Sequence, residues 1–309
     1  MKNLIPLTRK IEYWDNIVNR KKIAHRLALQ AIRPNVLVRI TDYVNRISPN
    51  NLETIPASPF VAPHIEYLQG CYGKSNNLSI LKTRIRDRQN ILQRVECQYC
   101  NIGEPNTFDH YLPKLSFPEF SALSINLIPC CSQCNTQKGE EWLLLGNRKI
   151  INYYYDILPN IDYLQCNIVY IGNVPQANFS LDRARIPVNI RAIIVNHFET
   201  LLLLDRYKQR SNSEIVDVLN AITPSLGKLT RIQIQQNLQE EARNMKTSKG
   251  HNYWRAILRI ALSNSNRFLT EADYSGRDLE VYKIFARMNK AAQHKMQPIP
   301  VCNIPEEWR

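Results

Sequence analysis

The chain has 309 residues, long enough to bury a core without a disulfide framework, and 44% hydrophobic with 22% charged residues is an ordinary globular balance that excludes a disordered or fibrous chain. With 9 glycines, the sequence favours helices over a turn-rich all-β fold, and the length predicts two domains or one large domain with additions. A net charge of +13 favours partners that carry phosphate, and no apolar run, Leu201 to Leu204 included, approaches the span of a bilayer.

In chain order, the first ninety residues read as helices. Val36, Leu37, Ile40, Tyr43, Val44 and Ile47 recur at helical spacing behind Pro34, which suits a first helical turn. A stretch rich in Pro and Asn over 48–63 reads as a loop. A further helix is predicted over 78–95, carrying Lys82, Arg84, Arg86, Arg88 and Arg94 against one acid, Asp87. These charges fall on several faces and are either solvated or in contact with phosphate, with Arg84 and Arg88 as the candidates. The segment Gly70-Cys71-Tyr72-Gly73-Lys74-Ser75 has the flavour of a phosphate loop but only two residues between its glycines, so it is set aside.

Residues 97–138 form a compact motif region. Alternating runs around Gly172, Asn173 and Pro175 then predict a β-hairpin over 166–182. From Pro187 onward the chain turns helical again, with apolar stripes through Ile190 to Leu204, Ile215 to Ile222 and Trp254 to Leu262, and a last helix over 277–288. His197 falls within such a stripe and reads as a buried structural histidine. The expected organisation is a helical region at 1–95, the motif module at 96–146, a hairpin connector at 147–182 and a helical domain at 183–309. The expected class is mainly α with a small ββα insert, α+β overall.

Of the eight cysteines, five lie between Cys97 and Cys134. The opening residues, interrupted by Pro6, lack a secretory apolar core, which predicts a cytoplasmic protein whose clustered thiols bind metal. Cys97-Gln98-Tyr99-Cys100 and Cys131-Ser132-Gln133-Cys134 are two C-x-x-C knuckles, together able to supply four thiolates to structural zinc (Zn²⁺). Cys130 stands beside Cys131 as a second possible ligand. Thirty residues, 101–130, separate the knuckles, more than a zinc finger allows, so the insert must carry something of its own.

That insert contains Asp109-His110, then Asn126, with Asn135, Lys138 and Gly139 following the second knuckle. This order resembles the zinc-ribbon form of the HNH (ββα-metal) endonuclease family, in its variant ending in Asn. The resemblance covers about forty residues. It implies a metal-dependent nuclease in which His110 activates water and Asp109 and Asn135 hold a catalytic cation, Mg²⁺ or Mn²⁺. In the same reading Asn126 fixes the loop behind the histidine. The residue types suit the chemistry: a near-neutral imidazole accepts a proton, and hard cations take oxygen ligands. Asn135 where many relatives carry His weakens that ligand set. Lys138 either reaches a phosphate or caps its helix, and Lys114 carries the same two readings.

The flanking residues, Phe108 to Lys114, Phe117-Pro118-Glu119-Phe120 and Asn252 to Ala256, look like the HNH subunits of bacterial antiphage systems of the Septu type. That narrower resemblance implies a defence role and a separate SMC-like ATPase partner; the expected substrate is nucleic acid, DNA before RNA. The alternatives are a zinc module that binds nucleic acid without cutting it, and a docking module for the ATPase.

Overall fold

The computed structural model describes residues 2–8, 10–47, 51–172, 174–222 and 228–272. The helix expected over 277–288 lies outside the described residues, as does Cys302. The order of elements is α1 (Lys10–Val18), α2 (Ile23–Ala31), α3 (Arg33–Ile47), α4 (His64–Gln69), α5 (Asn76–Asp87), α6 (Ile91–Arg94), β1 (Thr107–His110), β2 (Leu127–Cys130), α7 (Ser132–Lys138), β3 (Leu143–Leu144), β4 (Asn147–Arg148), β5 (Leu164–Ile171), β6 (Val174–Leu181), α8 (Val188–Thr200), α9 (Leu203–Ile222), α10 (Arg231–Lys249), α11 (Trp254–Ser263) and α12 (Asn266–Ala272). The class is α+β, mainly helical with two-stranded sheets. No helix among the described residues is long and apolar enough to cross a membrane.

The chain divides into two compact units. The first comprises 1–165, 180–206 and 244–254; the second comprises 166–179, 207–243 and 255–309.

In the first unit, α3 buries Val36, Ile40, Tyr43 and Ile47, four residues of the predicted stripe. Arg39 is buried with them, and its guanidinium is compensated. It pairs with Glu119 at 2.8 Å and donates to the Pro56 carbonyl at 2.8 Å, while Ser58 Oγ donates to the second Glu119 oxygen at 2.7 Å. A buried pair of this kind stabilises little on balance but is costly to break, so it fixes the β1–β2 connection against α3.

The helix predicted over 78–95 is broken. Ser75 caps α5, accepting from the Leu78 amide, and a second cap at Asn90 accepts from Leu92 and starts α6. Gln89, between them, is buried and trades two hydrogen bonds with the backbone of Ile5. Side-chain caps and a buried amide therefore override the apolar periodicity that read as one helix.

The hairpin near 166–182 is present as the pair β5–β6. Asn252 ties its base, accepting from the Tyr163 and Leu164 amides and donating to the Ile161 carbonyl. In the second unit, Arg267 lies 3.9 Å over the Tyr170 ring and donates to the Gly172 carbonyl, while Arg255 and Arg259 both pair with Glu214.

Strand β1 carries the motif residues. It pairs antiparallel with β2 in the register Thr107↔Cys130, Phe108↔Pro129, Asp109↔Ile128 and His110↔Leu127. A strand alternates its side chains between two faces. Thr107 and Asp109 accordingly meet α7 or its neighbours, while Phe108 and His110 meet α5 and Tyr72.

Candidate active site and metal centre

The four-cysteine centre builds itself from two turns. The Asn101 amide donates to the Cys97 carbonyl at 2.8 Å, and Asn101 takes the left-handed φ of 52°. Cys131 is the N-cap of α7, its sulfur accepting from the Cys134 amide at 3.4 Å. The Sγ atoms of Cys97, Cys100, Cys131 and Cys134 all lie within 4.8 Å of one another, and all four residues are buried. Tetrahedral zinc with bonds of about 2.3 Å places its sulfurs about 3.8 Å apart. The Cys100–Cys131 separation of 3.9 Å fits that spacing, and none of these cysteines forms a disulfide.

The same geometry decides between Cys130 and Cys131. Cys130 lies on the last residue of β2, with its sulfur against Thr107, and burial followed by the Asp109 charge pushes its thiol up to about 12. Cys131 is held far below the ordinary thiol range, chiefly by hydrogen bonds from Cys100, Cys134 and Cys97. Arg206, which nothing in the motif announced, donates to Cys134 Sγ at 3.3 Å and places a cation against the thiolate cluster.

Tyr99, the apparently free position of the first knuckle, links that centre to the motif. Its hydroxyl donates to Asp109 Oδ2 at 2.7 Å. The other Asp109 oxygen receives Lys138 Nζ at 3.0 Å, and Lys138 also donates to the His110 carbonyl at 2.8 Å. Lys138 is 2% exposed. It closes the last turn of α7, and its ammonium is spent on holding β1 through Asp109 and the His110 carbonyl. Gly139 closes α7 at φ 62° and ψ −155°, a region open in practice to glycine alone.

Asn126 is wholly buried. Its oxygen accepts from the Leu112 amide at 2.8 Å, and its nitrogen donates to the carbonyls of Leu112 and Phe120 at 3.0 and 3.1 Å. It thereby closes the β1–β2 connection at both ends.

That connection holds His110. Nε2 lies 2.9 Å from the Ser121 carbonyl oxygen, and the ring edge meets Tyr72 with centroids 4.2 Å apart. A carbonyl only accepts, so Nε2 carries the proton and Nδ1 keeps its lone pair. Burial lowers the His110 pKa to about 4, helped by the Lys114 and Lys138 charges and opposed by the Ser121 carbonyl and Asp109. The imidazole is neutral at pH 7.

Asp109, His110, Asn135 and Lys114 line one cleft of about 460 Å³, together with Tyr72, Lys82 and Arg86. Arg84 and Arg88 are exposed and do not line it. The helical position tells why: Lys82 and Arg86 are four apart and share a face, while Arg84 is turned away by about 200°. Asn135 is half-buried, its closest side-chain partner Thr107 Oγ1 at 3.5 Å. A carboxylate accepts at about four sites, and Asp109 has filled two. Two oxygen donors on the cleft wall suit a hard cation that keeps part of its water shell, so Asp109 and Asn135 fit a divalent ion.

Comparison with known proteins agrees with this geometry. The family model for HNH endonuclease matches residues 97–141. Those bounds take in both cysteine pairs, β1, β2 and α7, and with the four-cysteine cluster they support an HNH module in this part of the chain. Over 191 residues the chain is 28% identical to Protein ea31 of Escherichia phage lambda, an overlap of 56% of this chain and 63% of that protein. The chain thus spans less than two thirds of the length of the relative it matches. No solved structure matches it.

Proposed function

We propose that the chain is a nuclease that hydrolyses phosphodiester bonds, DNA before RNA, with His110 as general base. The observation that carries this reading is the His110–Ser121 hydrogen bond. It leaves a neutral imidazole with Nδ1 as acceptor beside a cationic cleft. Nδ1 takes the proton of a water as that water attacks phosphorus and the P–O bond to the leaving sugar oxygen breaks; the imidazolium formed is stabilised by the Asp109 charge and the Ser121 carbonyl, and the leaving oxygen takes its proton from solvent. Asp109 and Asn135 would hold a divalent cation. When bound, such an ion neutralises charge on the phosphoryl and leaving oxygens. Tyr99 and Lys138 keep the Asp109 carboxylate aimed, and Asn126 keeps the loop beneath His110 in register; a loosely held base loses alignment and rate.

The resemblance of the flanking residues to HNH subunits of Septu-type systems extends the proposal to antiphage defence in the cytoplasm, with a separate SMC-like ATPase as partner. Copurification of such an ATPase with the tagged chain tests that part.

A second reading is favoured by one feature. Both Asp109 oxygens already receive hydrogen bonds from buried donors. A module with that carboxylate satisfied would bind nucleic acid through its zinc-stapled cleft and leave it intact. Incubation of the wild-type chain with plasmid, single-stranded DNA and bulk RNA, with Mg²⁺ or Mn²⁺ or neither, separates the two. Cation-dependent cutting supports the nuclease; binding without cutting under every condition supports the second reading.

A further inference from the structure

Part of the cleft wall comes from outside the segment matched to the HNH family. Lys82 and Arg86 project from α5, and Tyr72 precedes that helix. Lys82 Nζ lies 4.2 Å over the Tyr72 ring and 5.7 Å from that of Phe108, while the Arg86 guanidinium lies 4.9 Å over Phe108. Aromatic faces hold both cations in place, and Arg86 also donates to the Pro105 carbonyl at 3.3 Å. Neither forms an ion pair with a carboxylate among the described residues, and Arg86 Nε is buried with no hydrogen-bond partner. Of the acids that line the cleft, Asp109 is paired with Lys138 and Glu140 is exposed. Burial, then the Arg86 charge, lowers the Lys82 pKa. Two like charges brought together and partly dried cost free energy unless an anion joins them.

We infer that Lys82 and Arg86 form a clamp for a backbone phosphate of the substrate next to the one at His110. The inference rests on the nuclease reading for the identity of the second phosphate. Because a phosphate contact carries no base information, the clamp contributes affinity and register without sequence preference.

The test is the salt dependence of binding, measured on the full chain in a His110→Ala background without added divalent cation, which slows cutting. A short fluorescein-labelled DNA duplex is the probe and anisotropy the readout. Each phosphate contact contributes about 0.9 to the slope of log K against log salt. The expected result is that Lys82→Gln with Arg86→Gln lowers the slope by about two contacts' worth. Arg84→Gln with Arg88→Gln removes the same charge from the same helix and leaves the slope nearly unchanged. Lys82→Gln alone lowers it by about one contact's worth, which keeps the test open if the double variant fails to fold. Equal effects of the two pairs, or no effect of the cleft pair, would overturn the clamp. Wild-type cutting assayed in parallel reads the nuclease proposal separately. A slope difference without cutting upholds a two-cation phosphate site while removing the nuclease.

Discussion

Lys138 Nζ and Asp109 Oδ1 lie 3.0 Å apart with the side chains 1% and 4% exposed, and the same ammonium bridges to the His110 carbonyl. The last turn of α7 is thus fastened to the strand that carries both motif residues. Removing one member of a buried pair strands the other charge, at a cost of about 3–5 kcal/mol. Lys138→Met is expected to lose stability in that range by urea unfolding. Lys138→Met with Asp109→Asn recovers much of the loss, because neither charge is then left alone. A double variant no more stable than the single one would show that the pair is not coupled.

Metal content distinguishes the cysteines. The protein is expected to release one equivalent of zinc to a thiol-displacing reagent with a colorimetric chelator, and to unfold more readily once stripped. Cys131→Ser should lose the metal. Cys130→Ser should keep it, since Cys130 faces Thr107 and holds its proton up to about pH 12.

Stability should fall on the acid side. His197 is fully buried, with Nε2 on the Tyr99 carbonyl at 2.9 Å, and burial lowers its pKa to about 4. The unfolded chain, with its histidines near 6.5, then binds more protons than the native chain between those values. Stability contributed by the neutral His197 is complete above about pH 6.5 and is lost as the pH falls toward about 4. His197→Gln keeps a donor for Tyr99 and should flatten that part of the urea-midpoint profile; an unchanged slope between pH 7 and 5 would contradict the assignment.

Gly139 should resist substitution for reasons of backbone alone. A Cβ there would meet nothing nearer than 3.9 Å, yet its φ of 62° with ψ −155° disfavours any side chain. Gly139→Ala is expected to cost about 1–3 kcal/mol by urea unfolding, with zinc retained.

The sequence was most legible where spacing itself carries chemistry. Two C-x-x-C pairs specify a thiolate cluster, and Asp109-His110 with Asn126 and Asn135 mark the strand, loop and helix around it. It was least legible where a residue acts from an unmarked position. Tyr99 occupies a variable slot of a knuckle yet holds Asp109, and Arg206 lies far along the chain yet touches Cys134. Basic charge on α5 is visible in the sequence, but the direction it faces is not. The buried stripe Leu78, Leu81 and Ile85 has Lys82 and Arg86 on one flank and Arg84 and Arg88 on the other, so helical periodicity alone does not say which pair faces the cleft. The break between α5 and α6 escaped because it depends on Gln89 finding Ile5 more than eighty residues away.

The central claim is that His110 is the base. Wild type and His110→Ala, prepared together and matched for zinc content, should be compared on the same DNA and RNA substrates with Mn²⁺ under single-turnover conditions. A general base contributes about 10²–10⁴-fold, so the variant should cut at least ~100-fold more slowly while binding substrate as tightly as the wild type. Cutting by His110→Ala at the wild-type rate would contradict the account.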